Sequence, residues 1–149
     1  MFYKYLMIAF SYADFPKLPD ALIQDVYLSV DDNIPLVELP FEKYKLLDCR
    51  PSIKKFVSSF FDEPFHCGVQ TILDSQGVHK DYKRTVVYNY IIEPGGDHVT
   101  TNFYVDLKKS KKIESICIDT FCWHRLRVFL PHEVTGITGK RIAITIWKK

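Results

Sequence analysis

The 149-residue chain has no apolar run long enough to span a bilayer. Its apolar start, MFYKYLMIAF, is interrupted by Lys4 and lacks a small-residue cleavage site. Phe2 to Phe10 therefore reads as a strand, and neither a membrane span nor a cleaved leader is expected. Cysteine is sparse: Cys49, Cys67, Cys117 and Cys122 form no CxxC pair, which argues against a zinc knuckle or a disulfide framework. Reduced thiols in a cytoplasmic protein are the expectation. Excess charge is missing too. With a net charge of +2 and both signs mixed along most of the chain, there is no electrostatic footprint for a nucleic-acid partner. The one basic cluster, Lys108, Lys109, Lys111 and Lys112, falls between two strand-like segments and reads as a solvated turn. The chain also lacks a P-loop, a dinucleotide glycine fingerprint, a Ser/His/Asp nucleophile arrangement, internal repeats and low-complexity tracts.

What is present suits one globular domain spanning 1–149, since 47% hydrophobic residues on this length suffice for one core. Behind Pro19 and Asp20, the segment LPDALIQDVYLSV repeats Leu22, Ile23, Val26 and Val30 at helical spacing. A second helix is expected at PSIKKFVSSFF, where Pro51 supplies a preset φ and Ile53, Phe56, Val57 and Phe60 share a face. Between them, Pro35, Pro40 and short apolar runs suggest irregular or strand structure near Leu36 to Leu39. From residue 65 the texture becomes short β-branched and aromatic segments: FHCGVQTIL, RTVVYNYII, VTTNFYVDL, KIESICI, RLRVFL and RIAITIW. PGGD at Pro94 to Asp97 is a tight connection between two of them. The expected fold is α+β, mainly β: residues 1–64 form an N-terminal strand and supporting helices, and 65–149 close as a jelly-roll-like sandwich or short barrel.

Three residues suggest a metal. His79 and Asp81 are one residue apart, so in an extended backbone both side chains leave on one face. His132 follows Pro131 and offers a third ligand from a distant part of the chain. Two imidazoles and one carboxylate on a face of an octahedron, with the remaining positions open, is the ligand set of non-haem iron(II) oxygenases. Nine residues beyond His132 comes Arg141, a planar, permanently charged group suited to a carboxylate. Alternation along RIAITIW places Arg141, Ala143, Thr145 and Trp147 on one face and Ile142, Ile144 and Ile146 on the other. The competing role for Arg141 is a surface ion pair, for example with Glu133. His66, His98 and His124 lack partners at ligand spacing and read as structural; Trp123, Arg125 and Arg127 suit either a substrate mouth or a half-exposed strand.

In HKD at 79–81, PHEV at 131–134 and RIAITIW at 141–147, the chain resembles the 2-oxoglutarate- and iron(II)-dependent oxygenases, in particular the prolyl-hydroxylase-like branch. The resemblance covers about the last half of the chain. It implies a double-stranded β-helix (jelly-roll, cupin-like) core with two N-terminal helices, Fe(II) on His79, Asp81 and His132, and 2-oxoglutarate held at its far carboxylate by Arg141, with Thr145 beside it. It also implies a polar contact from the strand after H-x-D. Tyr88 and Tyr90 share one face of VVYNYII and are the favoured pair; Asn89 is the alternative if a bulge after Asp81 inverts the parity. The implied reaction consumes O2 and hydroxylates a C–H bond, on a prolyl or other amino-acid side chain of a protein or peptide, or on a small molecule, releasing succinate and CO2. Two other readings stand beside it: a non-catalytic jelly-roll binding module, and a cupin-type metal enzyme that does not use 2-oxoglutarate.

Overall fold

The computed structural model describes residues 8–149; most of the expected Phe2 to Phe10 strand lies outside the described residues. Among these, eleven strands and two helices follow in the order β1 (Phe10–Tyr12), α1 (Asp20–Asp32), β2 (Pro35–Val37), β3 (Tyr44–Asp48), α2 (Pro51–Ser58), β4 (Phe65–Ile72), β5 (Gln76–His79), β6 (Val87–Pro94), β7 (Thr100–Tyr104), β8 (Lys112–Ile116), β9 (Trp123–Leu126), β10 (His132–Thr135) and β11 (Arg141–Lys148). They build two antiparallel sheets. The larger has the order β1-β9-β6-β11-β4-β3-β2 and the smaller β5-β10-β7-β8. Strands that follow one another in sequence, such as β5 and β6 or β9 and β10, fall in different sheets, as in a jelly roll.

Both helices pack on the outer face of the large sheet. Val26 of α1 and Ile53 and Val57 of α2 are wholly buried against Val69, Ile142, Ile144 and Ile146, with Leu22, Ile23, Val30, Phe56 and Phe60 closing the edges. Burial of each such aliphatic side chain contributes about 1.5–3 kcal/mol, so this face anchors β11 firmly. α2 starts at Pro51 as its preset φ favours and ends at Ser58, leaving Phe60 just beyond it. α1 stops where Asn33 turns left-handed at φ 51° and its N–H returns to the Ser29 carbonyl.

The opposite face of the large sheet looks toward the small sheet. Ala143 and Trp147 of β11 join Val87, Ile91, Leu126 and Phe103 in an inner core. β11 is the central strand, paired with β4 along its whole length and with β6 from Arg141 to Ile146. Its alternation thus divides two environments: isoleucines toward the helices, and Arg141, Ala143, Thr145 and Trp147 toward the interior between the sheets. The turn after β6 seats the start of this strand. Gly95 has φ 86°, and a Cβ there would stand 2.9 Å from Arg141 Cβ, so the turn comes this close only without a side chain. Its carbonyl also accepts from the Thr138 and Gly139 N–H groups at 2.8 Å.

The basic segment between β7 and β8 is a turn, as expected. Asp106 accepts from the backbone N–H groups of Lys108 and Ser110 at 3.1 Å, and Lys109 adopts φ 60°. No helix among the described residues is long and apolar enough to cross a membrane.

Candidate active site

His79 ends β5 and His132 begins β10, and the two are directly opposite in the antiparallel pairing of these strands. Their rings lie 4.4 Å apart, centre to centre. Asp81 sits two residues past the end of β5, where its backbone N–H donates to the Val128 carbonyl at 2.9 Å. Asp81 Oδ1 is 3.7 Å from His79 Nε2 and 4.0 Å from His132 Nε2. One donor atom from each of the three residues falls within 4.8 Å of the others. Metal bonds of about 2.1 Å at right angles put neighbouring donors about 3 Å apart, so modest side-chain rotations close the set on an ion.

The protonation pattern fits the same role. His79 Nδ1 is 2.8 Å from the Gly77 carbonyl, and His132 Nδ1 is 2.7 Å from the Leu130 carbonyl. A carbonyl only accepts, so each Nδ1 carries the proton and each Nε2 turns its lone pair toward Asp81. Burial, ahead of the nearby His79, lowers the His132 pKa and favours the neutral, ligating form. Asp81 keeps only one oxygen free, because Arg84 Nε donates to Oδ2 at 2.9 Å and its Nη2 grips the same atom. Arg84 in turn lies over the Trp147 ring, 5.0 Å from its centre. The fork therefore links the carboxylate ligand to the end of β11 and leaves Oδ1 for a metal.

A small cavity of about 50 Å³ opens from this triad into the space between the sheets, lined also by Arg141, Thr145 and Asn89. Arg141 is 8% exposed, and among the described residues it has neither a carboxylate nor a hydrogen-bond partner. Burial lowers its pKa to about 10, which still leaves it charged near neutrality. The ion pair with Glu133 does not form: Glu133 lies 2.8 Å from Lys109 Nζ and accepts from Tyr104 Oη and Asn102 Nδ2. A buried cation without a counter-ion is costly, and the cavity in front of it has room for an anion.

The expected tyrosines are not in this cavity. Tyr88 and Tyr90 face the helices, Tyr88 against Phe15 and Phe61 and Tyr90 against Trp123. Val87, Asn89 and Ile91 face the interior instead. The physical reason is that β5 and β6 belong to different sheets and are joined by a bent segment, so the face shared by His79 and Asp81 does not propagate into β6. Asn89, the alternative, takes the place beside Thr145, directly opposite it in the β6–β11 register. Trp123 likewise packs toward the helices, and its Nε1 donates to the Pro16 carbonyl. The sequence reading missed Arg84, Tyr44 and Gln70. Gln70 Nε2 donates to Tyr44 Oη at 2.9 Å, and both line the cavity. Only the approach of β3 to β4 brings these two together, and nothing in the local pattern of YKLLD signals that pairing.

No protein-family model and no curated protein matches the sequence. Solved structures do share the fold. A prolyl hydroxylase from Trichoplax adhaerens, in complex with a hypoxia inducible factor oxygen degradation domain peptide fragment, superimposes with a TM-score of 0.66 at 17% identity, covering 93% of this chain and 82% of that one. A mutant of Bacillus subtilis oxalate decarboxylase matches at a TM-score of 0.49 and 12% identity over 79% of this chain and 28% of that one. Vicilin from Corylus avellana matches at a TM-score of 0.47 and 14% identity over 75% of this chain and 30% of that one. The fold of this chain is thus a jelly roll of the kind found in prolyl hydroxylase, with a His-Asp-His cluster suited to a metal ion at one end of its interior.

Proposed function

We propose that the protein is a non-haem Fe(II)- and 2-oxoglutarate-dependent dioxygenase that hydroxylates a C–H bond of a prolyl or other amino-acid side chain. The observation that carries this reading is the shared cavity of two unlike groups: a two-histidine, one-carboxylate cluster at one end and the unpaired, buried guanidinium of Arg141 further in. The buried cation suits an acidic cosubstrate, and the Nδ1–carbonyl contacts of the two histidines suit metal ligands. His79, Asp81 and His132 would hold the iron, which supplies dioxygen activation coupled to conversion of 2-oxoglutarate to succinate and CO2.

The residues of the chain do the rest. Arg141 would neutralise the carboxylate of the cosubstrate remote from the metal, with Thr145 four residues along on the same strand face. Arg84 keeps Asp81 on one oxygen, so that the positions beyond the three ligands stay open. The apolar lining of Val87, Ile91, Leu126 and Val128 limits water around the reacting carbon. A peptide substrate is favoured by the fold shared with the Trichoplax enzyme in its peptide complex, and by a mouth at His79, whose side chain is 39% exposed.

The test is anaerobic addition of iron(II) and 2-oxoglutarate, read first as the weak visible charge-transfer absorption of the chelate and then as succinate released on admitting air. Well-folded, iron-loaded protein that gives neither signal refutes the proposal. Iron binding and turnover that are indifferent to 2-oxoglutarate and to Arg141→Ala assign the chain to the cupin-type alternative.

A further inference from the structure

Behind the cavity wall, a polar row crosses the inner face of the large sheet. Thr145 on β11, Asn89 on β6 and His124 on β9 are direct neighbours in register, and all three are buried. Two of them are left incomplete. Asn89 Oδ1 has no hydrogen-bond partner, and neither does either ring nitrogen of His124, whose side chain is wholly enclosed. Such groups cost free energy unless something completes them. His124 packs beside the Phe10 ring at 5.9 Å and shares its strand face with Leu126, so it sits on the cavity side of β9 and not among the helices.

The chemistry of the pair is complementary. Burial, reinforced by the charge of Arg141 and only partly offset by the nearby Cys122 backbone, which has no well-formed hydrogen bond to either ring nitrogen, lowers the His124 pKa to about 3, so the ring is neutral and carries one N–H. Asn89 Oδ1 is an acceptor with nothing to accept. Directly opposed residues on antiparallel strands have Cβ atoms about 4.5–5.5 Å apart, within reach of a side-chain hydrogen bond after a small rotation. Asn89 itself lines the cavity, and an Oδ1 turned back to His124 directs its Nδ2 outward.

The geometry points to His124 as a positioning residue for the cosubstrate: its ring N–H donates to Asn89 Oδ1, and the oriented Asn89 amide donates through Nδ2 to the carboxylate that Arg141 neutralises. This rests on the 2-oxoglutarate reading and deepens it. The resulting subsite has one positive charge and otherwise neutral donors, Asn89 and Thr145, and so suits a singly charged carboxylate better than a doubly charged phosphate.

The experiment measures 2-oxoglutarate affinity calorimetrically on the full chain loaded anaerobically with iron(II), alongside iron affinity. Loss of one such hydrogen bond corresponds to about 3- to 10-fold weaker binding. Asn89→Leu and His124→Leu are each expected to weaken 2-oxoglutarate by that factor with iron affinity unchanged. The double variant should be no weaker than Asn89→Leu alone, because His124 acts through Asn89, and His124→Gln should recover part of the loss. Unchanged affinity in both single variants, or effects that add in the double variant, overturns the inference while leaving the oxygenase reading intact. No 2-oxoglutarate binding by the wild type sinks both. If His124→Leu does not fold, the ring ¹⁵N signals of His124 in the zinc-substituted wild type decide the matter. They should move on addition of 2-oxoglutarate, and a ring that does not respond overturns the inference.

Discussion

Replacing Arg141 by methionine should make the protein more stable and less able to bind the proposed cosubstrate, 2-oxoglutarate. Arg141 is 8% exposed and, among the described residues, has no carboxylate partner. Burial takes its pKa from 12.5 to about 10, which corresponds to about 3 kcal/mol against the charged form. Methionine approximates the aliphatic stem and removes the charge, so the free protein should gain about 1–3 kcal/mol after allowing for imperfect packing. At about 2–4 °C per kcal/mol for a chain of this size, the melting temperature should rise by roughly 2–12 °C. The cosubstrate reverses the order. At a hundred times its dissociation constant, 2-oxoglutarate should stabilise the wild type by about 2.7 kcal/mol, and this increment should vanish in Arg141→Met. Thermal melts with and without 2-oxoglutarate, on anaerobic iron-loaded protein, give both numbers. A variant destabilised by more than about 1 kcal/mol would mean that Arg141 serves the fold; a variant still stabilised by 2-oxoglutarate would mean that the anion is bound elsewhere.

Other perturbations test neighbouring parts of the site. Asp81→Ala removes the only anionic ligand and should abolish stoichiometric tight iron binding. Arg84→Met leaves the ligands in place but frees Asp81 Oδ2, and should weaken iron about 10- to 100-fold in an anaerobic titration; an unchanged affinity would show that the fork does not orient the carboxylate. His124 should make stability fall in mild acid. The unfolded chain protonates it below about 6.5 and the folded one only near 3, so unfolding takes up a proton in that window, and by pH 5 the wild type should have lost about 2 kcal/mol relative to His124→Leu. Parallel denaturant titrations at pH 7 and pH 5 measure this difference, and equal losses in the two proteins would rule it out. Tyr88→Phe and Tyr90→Phe should leave the 2-oxoglutarate requirement unchanged, since both rings pack toward the helices; a raised requirement in either would place that tyrosine in the cavity after all.

Features that depend on local periodicity and residue chemistry are legible in the chain itself. The two helices follow from 3.6-residue spacing behind Pro19 and Pro51, and the opposite environments of Ile144 and Thr145 follow from strict alternation in a long strand. The ligand types could also be read, because few residues suit a metal and H-x-D keeps two of them close. Tertiary structure decided what depends on which strands become neighbours. Parity in β6 was lost to inference because the chain changes sheets between Asp81 and Val87, and nothing local records how many bends that crossing takes. Several contacts of the site were equally non-local. Arg84 grips Asp81 from three residues away, but it meets Trp147 only because β11 packs beside the loop after β5, and Gln70 meets Tyr44 only because β3 joins β4. His124 is the clearest case. On its own strand it is one more residue of half-apolar texture, and only the register that sets it against Asn89, with Thr145 beyond, brings its ring to the candidate site that the His-Asp-His cluster and Arg141 define.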